Sequence, residues 1–176
     1  MKAEYICKYL SVILFLAISA CNDTTPTQVS VSTSEMKKSL ETANRYLVRD
    51  EENDIANYIE RHGLEMSVTG TGLRYQILKQ GTGQPIKTGE EVSMEYELRS
   101  ITGDLIYSSD NDGTKSFTVG KGQVESGLEE AMNYLHRGDV AKLIIPSHLG
   151  YGLHGDEDRI PEYATLVYTI KIEDNQ

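Results

Sequence analysis

The sequence predicts an α+β fold, in which an antiparallel β-sheet packs around one short helix and follows a helical extension. From residue 70 onwards, short segments with strand character follow one another with short loops between them. One stretch with helical periodicity, at about 125–136, interrupts these strands. A mainly antiparallel sheet with one helix lying across it is the layered arrangement that buries such a pattern.

The composition is that of one globular domain with attached segments. A chain of 176 residues that is 39% hydrophobic and 25% charged is expected to bury a single core. The net charge of −10 argues against a nucleic-acid-binding protein, because phosphate binding needs clustered lysine and arginine. This acidity does not identify a partner by itself.

Residues 1–20 have the pattern of a signal peptide. Lys2 and Lys8 precede an apolar run that is too short to span a bilayer, and small residues follow it. The sequence ISAC at 18–21 resembles the lipobox of bacterial lipoproteins, in which the cysteine is lipidated and becomes the first residue. After cleavage there Cys21 has no partner for a disulfide, which favours lipidation over the alternative of a soluble secreted protein cut nearby. We therefore predict a membrane anchor of acyl chains on Cys21.

A polar tether, residues 21–34, joins this segment to a helical extension, residues 35–63. The tether is rich in threonine and serine and has no periodic apolar face. In the extension apolar residues recur at helical spacing, which predicts two helices, at about 35–48 and 51–61. The sheet domain is then expected over 64–176.

The ends of the extension carry helix signals. Ser32 and Glu35 fit a capping box at its start, and Gly63 is expected to stop it. Since few leucines are present, the extension would make a weak coiled coil. We expect it to pack on the domain or to act as a spacer rather than to join two copies, and we expect a monomer.

Alternating polarity marks the strands. In residues 92–98 every second residue is apolar, which predicts one buried face and one face in water. Further strands are predicted over 72–79, 105–109, 116–120, 140–146 and 164–172. We expect the apolar strand residues Val92, Met94, Leu166 and Ile170 to belong to the core.

A glycine loop between a strand and the helix calls for comparison with a dinucleotide-binding site. Gly120 and Gly122 would supply the first two glycines, but Glu125 stands where the third is needed, and its carboxylate would repel a pyrophosphate. No parallel crossover follows within reach. The sequence therefore indicates no cofactor.

The stretch LIIPSHLGYGLH, residues 143–154, offers either a metal site or the rim of a pocket. His148 and His154 lie on a loop, with no third ligand at a recognised spacing, so we expect no metal. The acidic run 156–158 is expected to be a solvated loop edge. A tyrosine between two glycines has little packing reason to be there, so Tyr151 indicates a pocket rim with a function.

Four pieces of the chain, GKGQVESG (120–127), GDVAKLIIP (138–146), YG (151–152) and IPEYATLV (160–167), resemble the FKBP-type peptidyl-prolyl isomerases in order and spacing. The resemblance extends over about 72–172. With the lipobox and the acidic helical lead-in, the chain is similar to the FKBP-like lipoproteins of Bacteroidetes, including the gliding-associated group. The resemblance implies a peptidyl-prolyl cis-trans isomerase that assists the folding of exported proteins.

The family's site, carried over by position, implies roles for named residues. Tyr151 would donate its hydroxyl to a substrate carbonyl, and the backbone N–H of Glu125 would face another carbonyl. The implied lining of the pocket consists of Tyr96, Ile106, Phe117, Val124, Leu128, Ile160 and Tyr168. Such a pocket needs no nucleophile, because it lowers the rotation barrier by binding the twisted amide more tightly than either planar form.

The sequence departs from the family at this site. Leu128 stands where tryptophan is usual, Ile106 where phenylalanine is usual, and Lys115 where an aromatic residue is common. Tyr107 replaces an aspartate beside the twisting amide, which makes it the second residue expected to affect catalysis. A non-catalytic chaperone or binding module, which holds Pro-containing segments or supports a cell-envelope assembly, is therefore the alternative function.

The location and partners are expected from the same features. Asn22 is not the aspartate that marks inner-membrane retention in some bacteria, so we expect a lipoprotein of the outer membrane that faces the periplasm. The expected partners are Pro-containing polypeptides, and the membrane itself through lipid on Cys21.

Overall fold

The computed structural model describes residues 32–174, so the predicted signal peptide, Cys21 and most of the predicted tether lie outside the described residues. The described residues divide between two units, one up to Glu41 and one from Thr42 onwards. In the first unit the predicted capping box is confirmed. Ser32 N donates to Glu35 Oε2 and Glu35 N donates to Ser32 Oγ, each over 3.2 Å.

One helix, α1 (Thr33–His62), replaces the two helices that the sequence predicted. No glycine or proline occurs between its ends, so nothing in the segment interrupts its backbone hydrogen bonds. The predicted stop is confirmed, because Gly63 follows with a φ of 60°. Among residues 32–174, no helix has the length and apolar character to cross a membrane.

Seven strands in the described residues form one antiparallel sheet, which confirms the predicted fold class. They are β1 (Ser67–Val68), β2 (Arg74–Lys79), β3 (Glu91–Ser100), β4 (Leu105–Ser108), β5 (Lys115–Thr118), β6 (Val140–Ile145) and β7 (Leu166–Ile172). Their order across the sheet is β1-β2-β6-β7-β3-β4, and β5 also pairs with β3. The short strand β1 was not predicted.

The predicted alternation of β3 is confirmed. Val92, Met94, Tyr96 and Leu98 are buried in the main hydrophobic core, while the residues between them are exposed or only partly covered. Strand β7 lies between β3 and β6 and pairs with both. Its apolar side chains, with those of β3 and β6, make the centre of the core.

The helix over the sheet is shorter than predicted. After a turn of helix at α2 (Ser109–Asp112), which was not predicted, α3 spans Ser126–Ala131 and ends in a 3-10 turn at Met132–Tyr134. Leu135 is already extended, with φ −114° and ψ 157°. The chain leaves the helix there because the next residue, His136, forms a β-bridge to Pro85.

The opposite face of the sheet carries a smaller core. Ile55 and Tyr58 of α1 are buried against Ile144 of β6 and Val167 of β7. These two strand residues alternate with the residues that face the main core, as the pleat of a strand requires. The sheet therefore has α3 on one face and the second half of α1 on the other.

Candidate active site

A pocket of about 240 Å³ opens beside α3, where the residues before the helix meet the loop after β6. Its lining comprises Lys115, Ser116, Gly122, Gln123, Val124, Glu125 and Tyr151. Three of these, Val124, Glu125 and Tyr151, are residues that the family resemblance implied.

The other implied lining residues belong to the hydrophobic core that adjoins this pocket. Tyr96, Phe117, Leu128, Ile160 and Tyr168 are buried members of that core. The partly buried side chains packed against it include Ile106, Tyr107, Val124 and Tyr151. Residues from four strands, one helix and two loops are thus brought together, although their roles in binding stay predictions.

Residues 147–165, which follow Pro146 and end before β7, carry Tyr151 and are called the Tyr151 loop. It begins with a 3-10 turn, Ser147–Leu149. The Ser147 carbonyl oxygen accepts hydrogen bonds from the backbone N–H groups of Gly150 and Gly152, at 3.1 Å and 2.9 Å. Since Gly152 has a φ of 62°, a conformation that favours glycine, the chain turns sharply beside the tyrosine.

The Tyr151 side chain is half-buried and projects toward the pocket. Within residues 32–174, no group accepts a hydrogen bond from its hydroxyl. Burial, followed by the nearby carboxylates of Glu125 and Asp156, raises the pKa of Tyr151 to about 12. The hydroxyl therefore keeps its proton at neutral pH and is available as a donor.

A carboxylate is buried at the edge of the same pocket. The Glu125 side chain is 2% exposed, and its Oε1 accepts a short hydrogen bond from the Tyr168 hydroxyl. Its Oε2 is buried and has no hydrogen-bond partner among the described residues. Burial first, and then the charge and hydrogen bond of Glu125, raise the pKa of Tyr168 well above its ordinary value, so this hydroxyl also stays protonated.

Lys115 places a positive charge beside this carboxylate. Its Nζ lies 3.9 Å from Glu125 Oε2, 5.3 Å from the centroid of the Tyr96 ring and 5.9 Å from that of Tyr168. An ammonium group over aromatic faces is stabilised by their quadrupoles. A cation, a buried carboxylate and a tyrosine hydroxyl thus form one linked group at the wall of the pocket.

The family resemblance implied a role for the backbone N–H of Glu125 and none for its carboxylate. Glu125, Lys115 and Tyr168 are polar or charged at positions of an otherwise apolar site, and such side chains are buried together when they satisfy one another. The presence of three such residues at positions of an apolar pocket was the sequence signal that could have predicted their mutual contact.

Tyr107 does not line the pocket in the structure. Its hydroxyl donates to Asp156 Oδ2 over 2.5 Å and to Asp158 Oδ2 over 3.3 Å. The guanidinium carbon of Arg159 lies 4.4 Å from the centre of its ring, and Arg159 Nη1 donates to the Ile106 carbonyl oxygen over 3.1 Å. Strand β4 and the Tyr151 loop are therefore joined at Tyr107.

The prediction that residues 156–158 form only a solvated edge is wrong for Asp156. Its Oδ1 accepts from the backbone N–H groups of Ile160 at 2.7 Å and Asp158 at 3.0 Å. Burial opposes ionisation of Asp156, but these bonds and the one from Tyr107 outweigh it and lower the pKa. An acid is thus present near the site, supplied by the loop rather than by position 107.

The histidines of the Tyr151 loop are placed without a metal-binding geometry. His148 Nε2 lies 2.9 Å from the Thr71 carbonyl oxygen, and His154 is exposed. In the part of the chain from 32 to 174, no group of three or more histidine, cysteine or acidic side chains is close enough to hold a metal ion.

Comparison with known proteins gives the same family for both sequence and fold. Residues 82–173 match the family model described as "FKBP-type peptidyl-prolyl cis-trans isomerase". An "FK506-binding protein" of Neisseria meningitidis serogroup B is 34% identical over 102 residues, which are 57% of this chain and 94% of that protein. A probable FkpA isomerase of the same organism is 38% identical over 108 residues, 61% of this chain.

This chain spans only 39% of the length of that FkpA relative. Among solved structures, FkpA from Escherichia coli superimposes with a TM-score of 0.60 at 27% identity, and the match covers 82% of this chain and 73% of that one. The crystal structure of AtFKBP13 has a TM-score of 0.60 at 25% identity, and the match covers 64% of this chain and 99% of that one.

Proposed function

The chain belongs to the family of FKBP-type peptidyl-prolyl cis-trans isomerases, and we propose that it catalyses the cis-trans isomerisation of X-Pro bonds in polypeptide clients. The observation that supports this activity most directly is the Tyr151 hydroxyl, which is protonated, half-buried and without an acceptor among residues 32–174. A hydroxyl held in this state beside an apolar core is suited to bind a substrate carbonyl.

The proposed mechanism is selective binding of the twisted amide. Rotation about a peptide bond costs about 18–20 kcal/mol because the amide loses its resonance. A pocket that accepts the proline ring on apolar side chains and excludes water favours the twisted form, which lowers this barrier without a covalent step. Tyr151 would hold one carbonyl, and the backbone N–H of Glu125, the N-cap residue of α3, would hold another.

Exchange NMR on a short Leu-Pro peptide tests the activity. We expect Tyr151→Phe to lower kcat/KM by about tenfold, the loss that accompanies removal of one hydrogen bond made in the transition state. Tyr163→Phe is the matched control, since it removes a hydroxyl from an exposed tyrosine of the same loop. Equal turnover in Tyr151→Phe and the wild type would show that this hydroxyl is not the donor.

The non-catalytic binding module remains the second candidate, because Tyr107 replaces the family's usual acid and its hydroxyl is engaged by Asp156. A Tyr107→Asp variant separates the two functions. Wild-type turnover supports the enzyme. A silent wild type beside an active Tyr107→Asp variant supports a pocket that binds Pro-containing segments without turning them over.

We further propose that the protein is an exported lipoprotein of the Bacteroidetes type, anchored through Cys21 in the outer membrane, facing the periplasm, and acting as a monomer on exported clients. The support is the charged and apolar pattern of residues 1–20 and the ISAC sequence that ends it. Mass spectrometry of the protein from membranes should give an acylated amino-terminal cysteine. Unmodified Cys21 in soluble protein would contradict the anchor, whether or not the protein is an isomerase.

A further inference from the structure

One carboxylate of α1 binds both ends of the Tyr151 loop. Glu51 Oε1 accepts from the backbone N–H of Ser147 at 2.6 Å and from the Thr165 hydroxyl at 2.7 Å. Its Oε2 accepts from the Ser147 hydroxyl at 3.2 Å. Ser147 is the first residue of the loop and Thr165 the last, so this single side chain closes the loop at its base.

The bonds continue from Glu51 toward Tyr151. The N–H of Ser147 donates to Glu51, while the carbonyl oxygen of the same residue accepts from Gly150 and Gly152, the residues on either side of Tyr151. Hydrogen bonds in a series polarise one another and restrain the groups they join. A shift of Ser147 would therefore move the backbone that presents the tyrosine.

Polar contacts rather than close packing connect α1 to this loop. Leu47 and Val48 of the helix and Leu153 and Tyr163 of the loop line a common pocket of about 640 Å³. Ser147 and Thr165 are buried, and hydrogen bonds to an ionised acceptor are stronger than those between neutral groups. Glu51 is thus the principal restraint on the loop from this side.

Separate contacts hold the helix itself on the sheet. Ile55 and Tyr58 are buried against β6 and β7, and Glu52 pairs with Arg74 of β2, whose side chain is 9% exposed. Removal of the Glu51 carboxylate should therefore free the loop while α1 stays docked.

We infer that Glu51 is a positioning residue for the isomerase reaction: it holds the Tyr151 loop in its working conformation and makes α1 part of the active enzyme. The inference rests on the proposed function of Tyr151 as the donor to the substrate. Loss of the Glu51 contacts would then alter turnover at a pocket that α1 does not line.

The test compares Glu51→Ala and Glu51→Gln with Glu52→Ala in the purified protein, below the unfolding temperature of each. Glu52→Ala is the matched control, because Glu52 is the neighbouring carboxylate of the same helix and pairs with Arg74 of β2 instead of with the loop. Exchange NMR gives kcat and KM, and amide hydrogen exchange reports on the backbone of Gly150 and Gly152.

We expect Glu51→Ala to lower kcat/KM by about fivefold to tenfold, mainly through kcat, and to speed amide exchange at Gly150 and Gly152 by at least about tenfold. Glu51→Gln should recover most of both, because its amide oxygen still accepts from Ser147. Glu52→Ala should lower the unfolding temperature but leave the kinetics and the two glycine amides near wild type.

The inference is overturned if Glu51→Ala leaves kcat/KM and glycine exchange as in the wild type, or if Glu52→Ala changes them equally. Absence of turnover in the wild type would instead refute the proposed function. In that case amide exchange still decides whether Glu51 fixes the loop: faster exchange in Glu51→Ala alone upholds the restraint, and unchanged exchange refutes it.

Discussion

Replacing Tyr168 by phenylalanine removes one hydroxyl group beside the pocket and keeps the aromatic ring in the core. That hydroxyl donates to Glu125 Oε1, and Oε2 of the same carboxylate has no hydrogen-bond partner in the described part of the chain. After the substitution a carboxylate that is 2% exposed would retain only the Lys115 ammonium, 3.9 Å away, as a partner. The variant therefore leaves a buried carboxylate that accepts no hydrogen bond from any side chain of residues 32–174.

The expected loss in unfolding free energy is about 2–3 kcal/mol, because a hydrogen bond to a charged group contributes roughly 1.5–3 kcal/mol and the stranded acceptor stays buried. For a domain of this size, this loss lowers the unfolding temperature by roughly 4–12 °C. The ring contacts with Tyr96 and Lys115 persist, so little of the loss should come from packing.

A double-mutant cycle attributes the effect to the pair. Replacing both partners of a buried hydrogen bond by apolar groups is often nearly neutral, so Tyr168→Phe should cost little in a Glu125→Leu background. Urea unfolding followed by circular dichroism gives the four free energies, and we expect a coupling energy of about 1.5 kcal/mol or more. A loss below about 0.5 kcal/mol for Tyr168→Phe, or an equal loss in both backgrounds, would refute this account of the buried pair.

Two further predictions concern the Tyr151 loop. Burial opposes ionisation of Asp156, but the hydrogen bonds that its carboxylate accepts lower its pKa below the ordinary value of 3.8. The ionised carboxylate therefore stabilises the fold above that pH, and this contribution is lost as the pH falls through the lowered pKa. Tyr107→Phe should therefore cost about 1–2 kcal/mol in urea unfolding at neutral pH, and a difference from wild type that does not shrink on acidification would contradict this assignment. Gly155→Ala would place a Cβ 2.0 Å from the Ile160 carbonyl oxygen at a φ of 66°, whereas Gly152→Ala has a similar φ of 62° and no atom within 4 Å. In thermal unfolding Gly152→Ala should cost about 1–2 kcal/mol and Gly155→Ala clearly more, and equal losses would show that the loop relaxes around the new methyl group.

Local pattern was sufficient to predict most of the sheet. The alternation from Val92 to Leu98 determines which face of β3 is buried, because a strand has a strict period of two. The helix predicted up to residue 136 ends early because the chain there pairs with Pro85, a contact that no local pattern contains. The extension forms one helix because it contains no glycine or proline to break it, even though its apolar residues do not keep a regular helical spacing throughout.

The polar parts of the site were harder to predict than the apolar ones. The apolar lining of the pocket was predicted from the family resemblance, but the partners of Asp156 and Glu51 lie 49 and 96 residues away along the chain. A carboxylate's partner depends on distances set by the whole fold. The same holds for Glu125, whose partner Tyr168 stands on the last strand described.

The position of β7 in the sheet has a consequence for biosynthesis. This strand lies between β6 and β3, yet it follows every other described strand along the chain. Until residues 166–172 emerge, β3 and β6 each keep an unpaired edge, and the core cannot close. The nascent polypeptide must therefore remain open, and accessible to holding factors, until nearly all of the domain has been made. A domain of this topology therefore completes its folding late in its synthesis.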